Sequence, residues 1–422
     1  MDKFLIKGPC KIKGKVLISG SKNASLPILA ATLLFDKPVI IKNLPRVRDI
    51  NTMINLLRSL GSKIILSKDK KTAKIINKKN MKTFASYSHV KTMRGSILVL
   101  GPLISKFSKA KVSLPGGCLI GARPVNYHLA ALKKLGMEYK IKDGYILAKS
   151  YGRLKGETIK FPKISVGATE NSIIAACLAK GKKTKLINCA CEPEIKDLTQ
   201  FLNKAGANIN WSGRTCTIIG VNSLAQTTHT VMGDRIETGT FCIAATLAKG
   251  NLEIKNFDPK IINTEIELLK KIGAKIKTID NTIFIKGPYK IKPIKNIKTK
   301  EFPGIPTDLQ AQLMVLMCMS IGKSCITENI FENRFMHVAE LQRLGAKIII
   351  KNNKAFIDGN TKFIGAELMS SDLRASVALV LAAMVANGKS IVGRVYHLER
   401  GYENIVNKLK KIGVKIKRLN DK

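Results

Sequence analysis

Residues 241–287 read FCIAATLAKGNLEIKNFDPKIINTEIELLKKIGAKIKTIDNTIFIKG, and this stretch contains the pattern that decides the fold. Residues 241–248 are apolar or small almost throughout, which predicts a buried helix. Residues 264–271 carry apolar side chains at helical spacing and predict an amphipathic helix that ends at Gly273. The short runs 252–254, 275–277 and 282–285 predict strands.

The same order of segments recurs along the whole chain. An apolar residue, a glycine and a small or apolar residue appear six times, and the glycines are Gly61, Gly136, Gly206, Gly273, Gly345 and Gly413. Their intervals are 75, 70, 67, 72 and 68 residues, so six repeats account for the chain. Counterparts of the buried helix are predicted at 27–34, 172–179, 311–319 and 375–386. Four of the five buried helices are followed by glycines that predict left-handed C-caps, Gly181, Gly250, Gly322 and Gly388.

Each repeat is therefore ordered roughly as strand, helix, strand, helix, strand, strand. A single repeat cannot cover both faces of its sheet, so several must pack together around their apolar helices. We expect an α/β protein of two similar lobes, each with three βαβαββ units, divided near residues 227–234. Residues 22–232 would form one lobe, and residues 1–21 with 233–422 the other. A cleft between such lobes is a common ligand site, although an arrangement without a functional cleft stays open.

The composition limits the classes of function. The chain has 422 residues, 73 Lys plus Arg against 29 Asp plus Glu, and a formal charge of +44. A basic nucleic-acid-binding protein is therefore an alternative. Against it, aromatic residues make up only 5% and the lysines are spread along the chain. A compositional bias toward Lys, Ile and Asn is the competing hypothesis for the charge.

No membrane, cofactor or metal signal stands out in the sequence. The longest apolar stretch, 375–386, is shorter than the roughly 20 residues that span a bilayer, and the N-terminal apolar run is too short for a signal peptide. The nine cysteines form neither CxxC pairs nor zinc spacing, which predicts reduced thiols, mostly in the core, in a cytoplasmic protein. A P-loop, a dinucleotide fingerprint and a metal-ligand cluster are lacking, so we expect no cofactor and no metal.

Two glycine-rich or polar segments interrupt the repeat pattern in the first half of the chain. Lys22 and Asn23 precede the first predicted buried helix, where free backbone N–H groups and a cation would attract an anion. A solvated lysine is the alternative. Residues 113–124, SLPGGCLIGARP, describe a turn-rich loop around Cys118. Arg123 nearby favours a reactive thiolate there, whereas a small core residue is the ordinary interpretation of a cysteine.

A third segment places charged residues in the second half. Asp308 follows the loop 303–306 and precedes an apolar helix, so it is either a helix N-cap or a general base. Arg334, Arg400 and the pair Asp372 and Arg374 add compact charge. Arginine suits bidentate recognition of phosphate or carboxylate, whereas the excess charge elsewhere is mostly lysine.

These motifs together resemble the UDP-N-acetylglucosamine enolpyruvyl transferase family, and the resemblance covers nearly the full length. The segments that carry it are 1–4, 22–23, 91–94, 114–118, 163–169, 233–239, 306–308, 332–335, 372–375 and 400–402. The family fold is an inside-out α/β barrel of two lobes with three βαβαββ units each. The repeat count obtained from the residues agrees with it.

The resemblance implies transfer of the enolpyruvyl group of phosphoenolpyruvate to the 3′-hydroxyl of UDP-N-acetylglucosamine, with release of phosphate. This is the first committed step of peptidoglycan synthesis. Cys118 would protonate C3, form an adduct with phosphoenolpyruvate and react with fosfomycin. Asp308 would be the base near the hydroxyl. Lys22, Arg123 and Arg400 would neutralise phosphate and carboxylate, with Asn23 beside Lys22.

The resemblance also implies a nucleotide-sugar site. Its residues would be Asn23, Arg94, Arg123, Pro124, Val125, Asn126, Tyr127, Lys163, Ile164, Ser165, Val166, Asp308 and Ile330. Sugar binding would close the lobes and bring the Cys118 loop over phosphoenolpyruvate. Leu98 and Asn126 depart from relatives that carry Trp and Asp, which affects the expected uridine contacts. The partners would be these two small molecules, without a specific nucleic acid or membrane insertion.

Two alternatives remain from the sequence. The shikimate-pathway enolpyruvyl transferase shares the fold and reaction type but lacks the Pro-Gly-Gly-Cys loop. A basic nucleic-acid-binding protein, including an RNA end-processing relative of similar fold, would bind nucleic acid at about 150 mM salt with a steep salt dependence. The sequence does not indicate an oligomeric state.

Overall fold

The computed structural model describes residues 2–116 and 125–419. These residues form two compact units. The central unit comprises residues 20–116 and 125–232, and the terminal unit comprises residues 2–19 and 233–419.

The strands of the described residues are short, mostly of four or five residues. In chain order they are β1 (Lys3–Gly8), β2 (Lys13–Leu17), β3 (Val39–Lys42), β4 (Lys63–Leu66), β5 (Ala73–Ile76), β6 (Phe84–Ala85), β7 (Lys109–Ser113), β8 (Glu138–Lys142), β9 (Tyr145–Lys149), β10 (Thr158–Lys160), β11 (Thr184–Ile187), β12 (Asn208–Ser212), β13 (Thr215–Ile219), β14 (Thr227–Thr230), β15 (Asn251–Lys255), β16 (Lys275–Ile279), β17 (Thr282–Lys286), β18 (Ile297–Lys298), β19 (Ser324–Thr327), β20 (Lys347–Lys351), β21 (Lys354–Asp358), β22 (Glu367–Met369), β23 (Gly388–Gly393) and β24 (Ile416–Leu419).

The α-helices alternate between buried and amphipathic ones, with one additional short helix. They are α1 (Lys22–Ala31), α2 (Arg48–Leu60), α3 (Tyr87–Val90), α4 (Leu100–Phe107), α5 (Asn126–Lys134), α6 (Val166–Ala176), α7 (Pro193–Lys204), α8 (Arg235–Leu247), α9 (Asn263–Ile272), α10 (Gln310–Cys318), α11 (Val338–Arg343), α12 (Leu373–Val385) and α13 (Ile405–Lys411). Short 3-10 helices cover Thr32–Leu34, Arg94–Val99, Pro259–Ile262, Thr307–Leu309 and Val395–Arg400.

The strands form six four-stranded sheets with one common pattern. In each sheet the first two strands of the order are parallel and the other neighbours are antiparallel. The central unit contains the orders β14-β3-β5-β4, β6-β7-β9-β8 and β10-β11-β13-β12. The terminal unit contains β2-β15-β17-β16, β18-β19-β21-β20 and β22-β23-β1-β24. Two α/β units with three repeats each are the predicted fold class, which is confirmed.

Three strands complete sheets that are built mainly from remote residues. β14 pairs with β3, with Thr227 opposite Val39, and so closes the first sheet of the central unit. β2 pairs with β15, with Lys13 opposite Asn251. β1 lies between β23 and β24. Periodicity alone shows how many strands a repeat has but not which strands they pair with.

Each unit encloses three apolar helices: α1, α4 and α6 in the central unit, and α8, α10 and α12 in the terminal unit. Within the units α4 packs on α6, and α10 packs on both α8 and α12. Every residue of α8 and α10 is buried, as predicted for helices that are apolar on all sides. The sequence did not predict α4, whose Gly101 and Pro102 are typical of loops.

The repeated glycines end or immediately follow the amphipathic helices, and all six have a positive φ between 94° and 115°. Gly273, with φ 115°, is the C-cap of α9 and donates to the carbonyls of Leu269 and Lys270. A left-handed cap of this kind favours glycine because a Cβ would be strained there. This part of the prediction is confirmed.

The predicted glycine caps of the buried helices are wrong. The caps of α6, α8, α10 and α12 are Cys177, Ala248, Met319 and Ala386, and none of these has a positive φ. The glycines lie further along the chain. Gly250 is required by close packing instead, because a Cβ there would come 2.3 Å from Cγ1 of Ile12.

The cysteines of the described residues are free thiols. Seven of the eight are buried, and Cys191 is half-buried. Burial raises the pKa of Cys177, Cys242 and Cys318 to about 12, so these thiols stay protonated. The prediction that most cysteines are small core residues is confirmed for this part of the chain.

Candidate active site

Lys22 and Asn23 lie in the first turn of α1 rather than before it. Ser21 caps the helix, and its Oγ accepts a hydrogen bond from the N–H of Ala24 at 3.2 Å. The Lys22 Nζ lies 3.4 Å from Oδ2 of Asp49 on α2, and the two side chains are only 12% and 5% exposed. Lys22 is therefore not a solvated lysine, because its ammonium group is held against a buried carboxylate.

Arg94 begins the 3-10 helix Arg94–Val99 and lies near His128 of α5. Burial, and to a smaller extent the charge of Arg94, lower the pKa of His128 to about 4. A Cβ on Gly167 would come 3.1 Å from Nε2 of His128. The first turns of α5 and α6 and the start of the 3-10 helix therefore meet around this imidazole.

The predicted nucleotide-sugar residues of the central unit occupy those helix starts. Val125 is the N-cap of α5, and Asn126 accepts a hydrogen bond from the N–H of Tyr127 at 2.9 Å through its Oδ1. Ser165 caps α6 through the N–H of Ala168 at 3.4 Å. Lys163 and Val166 are exposed, and Ile164 is half-buried.

Asn171 supports this arrangement, although the sequence did not mark it as functional. Its Oδ1 accepts from the N–H of Gly101 at 2.8 Å. Its Nδ2 lies 3.2 Å from Nδ1 of His128 and 3.4 Å from the carbonyl of Ile97. Because the amide nitrogen can only donate, Nδ1 accepts and the neutral imidazole carries its proton on Nε2. A run of polar residues leading into the predicted buried helix, residues 169–172, was the available signal.

In the terminal unit, Asp308 is held by two buried arginines. It lies within the 3-10 helix Thr307–Leu309, and its side chain is 26% exposed. Oδ1 accepts from Nη2 of Arg334 at 2.8 Å, and Oδ2 accepts from Nη2 of Arg374 at 2.8 Å. The side chain therefore does not cap α10, and its carboxylate is oriented by charge-assisted hydrogen bonds.

Asp372 and the 3-10 helix that carries Arg400 lie against α12, the helix of Arg374. Asp372 is the N-cap of α12 and accepts from the N–H of Arg374 at 2.9 Å. Its Oδ1 lies 3.9 Å from Nη1 of Arg334. Arg400 ends the 3-10 helix Val395–Arg400, which packs against α12 so closely that a Cβ on Gly401 would come 2.7 Å from Leu373.

Glu328 connects the segment of Ile330 to Thr307, the neighbour of Asp308, and was not among the predicted site residues. It is buried, and its Oε1 accepts from the N–H of Ile330 at 2.8 Å. Oε2 accepts from the hydroxyl of Thr307 at 3.0 Å, next to Asp308. A glutamate directly after the buried strand β19 was the sequence signal.

The candidate residues are thus divided between the two units. Lys22, Asn23, Arg94 and the starts of α5 and α6 belong to the central unit, and Asp308, Ile330 and Arg400 to the terminal unit. Cys118, Arg123 and Pro124 lie outside the described residues. Within 2–116 and 125–419, no group of three or more His, Cys, Asp or Glu could hold a metal ion. None of the helices there is long and apolar enough to cross a membrane.

The fold and these side chains define a class of protein. The family model of EPSP synthase (3-phosphoshikimate 1-carboxyvinyltransferase) matches residues 6–409. The enolpyruvyl transferase NikO from Streptomyces tendae has a similar structure, with a TM-score of 0.90, 23% identity and coverage of 100% of this chain and 99% of that one. EPSP synthase from Acinetobacter baumannii aligns with a TM-score of 0.79, 17% identity and full coverage of both chains. At these identities the two structures establish the fold.

Curated relatives of higher identity narrow the class. A UDP-N-acetylglucosamine 1-carboxyvinyltransferase from Pelagibacter ubique is 62% identical over 421 residues and covers 100% of both chains. Enzymes of the same name from Endomicrobium trichonymphae and Coxiella burnetii are 49% and 46% identical, covering 99% and 96% of their own lengths. The chain belongs to the UDP-N-acetylglucosamine 1-carboxyvinyltransferase family.

Proposed function

We propose that the protein transfers the enolpyruvyl group of phosphoenolpyruvate to the 3′-hydroxyl of UDP-N-acetylglucosamine and releases phosphate. The observation that carries this proposal is the match, over the full length and at 46–62% identity, to enzymes named for this activity. The reaction is the first committed step of peptidoglycan synthesis. It would take place in the cytoplasm and would serve cell shape and division.

Asp308 would act as the base in the addition step. The sugar hydroxyl loses its proton to this carboxylate as its oxygen bonds to C2 of phosphoenolpyruvate, while C3 gains a proton from Cys118. The tetrahedral product then returns a proton from C3 to the thiolate of Cys118 while its phosphate leaves C2, which forms the enol ether of the product. Arg334 and Arg374 support the role of Asp308, because they fix its two oxygens at 2.8 Å in one orientation.

Lys22, Arg123 and Arg400 would neutralise the phosphate and carboxylate of phosphoenolpyruvate, with Asn23 beside Lys22. The pairing of Lys22 with Asp49 supports a fixed cation rather than a mobile one. A cation already in position stabilises charge that shifts during addition and elimination, without reorganising in each step.

The nucleotide sugar would be held by Arg94, by residues 123–127 and 163–166, and by Asp308 and Ile330. The first turns of α5 and α6 offer backbone N–H groups, and Arg94 adds a positive charge beside them. A diphosphate matches this combination of donors and charge.

Phosphate release is the measurement that tests the function. Release from phosphoenolpyruvate should require UDP-N-acetylglucosamine and should disappear in Cys118→Ala. Cys191→Ala is the matched control, since Cys191 is half-buried and far from these residues in sequence. Turnover without the sugar, or unchanged turnover in Cys118→Ala, contradicts the mechanism.

The name of the matching family model makes shikimate 3-phosphate the second acceptor to test. We expect phosphate release with UDP-N-acetylglucosamine and none with shikimate 3-phosphate at equal concentration. The reverse result would assign the protein to the shikimate-pathway reaction.

Fosfomycin tests the assigned cysteine directly. We expect preincubation to abolish turnover and to add the mass of one inhibitor to the peptide that contains Cys118, as for a thiolate attacking an epoxide. Phosphoenolpyruvate present during preincubation should change the extent of labelling. Full activity without labelling of Cys118 would contradict the role given to it.

A further inference from the structure

Near Asp308, a chain of buried hydrogen bonds joins α8, α10 and the segment between the 3-10 helix Val395–Arg400 and α13, which carries Tyr402. The Tyr402 side chain is only 2% exposed, and its hydroxyl lies 2.9 Å from Oγ1 of Thr240 on α8. Nε2 of Gln312 on α10 lies 3.4 Å from the Tyr402 hydroxyl oxygen and 3.3 Å from Oγ1 of Thr240. That amide also donates to the backbone carbonyl of Asp308 at 3.1 Å.

The direction of these bonds follows from the number of protons. Thr240 has one hydroxyl proton and donates it to the carbonyl of Ile236 at 2.8 Å. It must therefore accept from Tyr402, whose oxygen in turn accepts from Gln312. Burial raises the pKa of Tyr402, which keeps its phenol protonated and able to donate. The Tyr402 hydroxyl is thus fixed from two sides.

The ring of Tyr402 provides a second connection to Asp308. The guanidinium carbon of Arg374 lies 5.5 Å from the ring centroid, within the range of a cation–π contact. The same guanidinium donates to Oδ2 of Asp308 at 2.8 Å. One side chain therefore contacts both the cation that orients the carboxylate and the amide that holds its backbone.

Burying the hydroxyl of Tyr402 removes it from water, and this desolvation cost would not arise with a phenylalanine at position 402. An unbonded hydroxyl in an apolar interior is unfavourable, so the position requires Thr240 and Gln312 as partners. The neighbouring helices α10 and α12 are largely apolar. The chain of hydrogen bonds ends at the backbone carbonyl of Asp308.

We propose that Tyr402 is a positioning residue for the proposed reaction, holding Arg374 and the backbone of Asp308 so that the carboxylate meets the sugar hydroxyl in one geometry. Tyr402 contacts no substrate in this scheme. The inference rests on the proposed function, because it gives Asp308 the role of base. The inference adds Tyr402 as a residue that fixes the orientation of Asp308 without touching substrate.

The test compares Tyr402→Phe, which removes only the hydroxyl, with Thr240→Val, which removes its acceptor. We expect kcat for phosphate release to fall about tenfold in each, with both KM values within about twofold of wild type, because misorientation affects the chemical step. The double variant should be no slower than either single variant, since both changes break one connected unit. If Tyr402→Phe does not fold, Thr240→Val is judged by the same criteria.

Thr246→Val is the matched control. Thr246 lies on α8, as Thr240 does, and is fully buried. Its hydroxyl donates to the carbonyl of Cys242 in the same helix. Its kcat should stay within twofold of wild type even if its unfolding midpoint falls. A kcat of Tyr402→Phe equal to that of Thr246→Val, or additive losses in the double variant, would overturn the inference.

A spectroscopic measurement separates this inference from the proposed function. The side-chain ¹⁵N and ¹H resonances of Arg374 should move in Tyr402→Phe and Thr240→Val, and stay unchanged in Thr246→Val. If the wild-type chain released no phosphate, the proposed function would fail by itself. Unmoved Arg374 resonances in Tyr402→Phe would overturn the positioning role whether or not the chain turns over.

Discussion

Asp308 shares its carboxylate oxygens between two buried guanidinium groups, and this arrangement makes geometry more important than charge at the position. Arginine presents several N–H donors in a rigid plane, whereas lysine offers a compact charge on a flexible stem. The residue-scale consequence is that a substitution which keeps the positive charge still disturbs the carboxylate.

Arg374→Lys tests this consequence. We expect kcat for phosphate release to fall between about tenfold and a hundredfold, because the planar hydrogen bond to Oδ2 and the contact with the Tyr402 ring are both lost. Arg343→Lys on the exposed side of α11 is the control and should keep wild-type kcat. Equal rates in the two variants would show that charge alone is sufficient at Arg374.

Two buried histidines make the stability depend on pH. Burial lowers the pKa of His128 and of His337 from 6.5 to about 4. Between these values the unfolded chain binds protons that the folded chain does not. The stabilisation is therefore complete above pH 6.5 and is lost as the pH falls toward 4, by about 3 kcal/mol for each histidine.

Urea unfolding between pH 4.5 and 7.5 measures this dependence. We expect the midpoint to rise with pH in wild type and to rise less steeply in His128→Asn, whose Oδ1 can replace Nδ1 as acceptor from Asn171. His89→Asn is the control, because His89 lies on the surface helix α3. A slope unchanged by His128→Asn would contradict the neutral state assigned to that imidazole.

At the scale of elements, the amphipathic helices end where a glycine takes up a left-handed conformation. Gly273→Ala should lower the free energy of unfolding by about 1–2 kcal/mol, because alanine is strained at φ 115° and its Cβ would lie 3.2 Å from Pro288. Gly393→Ala is the control, because Gly393 does not have a positive φ and a Cβ there would lie 3.5 Å from its nearest neighbour, the carbonyl oxygen of Leu368. Thermal or urea unfolding checks the difference, and equal losses would show that the cap conformation is not the cause.

Most of the helices and the glycines that end them could be predicted from the sequence, because apolar runs, helical spacing and glycine positions depend on neighbouring residues in the chain. Five of the six buried helices were predicted, but α4 was not, because Gly101 and Pro102 are helix-unfavourable unless packing compensates. Gly101 is required there by its contact with Asn171, which no local pattern reveals. The role of Glu328 was missed although a glutamate directly after β19 was visible, because its partners Thr299 and Thr307 lie 29 and 21 residues away in the chain.

At the scale of the whole molecule, the charge of +44 exceeds what two anionic substrates require. A handful of cations is used near the candidate site, and many other lysines are exposed in strands, helices and loops. Like charges within each compact unit repel each other, so the folded state should be favoured by screening.

Salt should therefore stabilise the protein. We expect the urea midpoint to rise between 10 and 200 mM NaCl and to change little above that range, where the Debye length is already shorter than about 8 Å. Choline chloride at equal ionic strength should act like NaCl, because the effect is screening and not ion binding. A midpoint that falls with salt would show that attractive ion pairs dominate.

The strands β1 and β2 complete sheets whose other strands come from the second half of the chain. During synthesis at roughly 5–20 residues per second, β1 leaves the ribosome tens of seconds before β23 and β24 exist. The central unit is continuous from residue 20 to residue 232, and its closing strand β14 is among the last parts of it to be made. The central unit can therefore fold first, while β1 and β2 are still unpaired. Their lysines favour exposure to solvent until the partner strands are made. The order of translation therefore differs from the order of folding, because β1 and β2 are made before the central unit but find their partner strands after it.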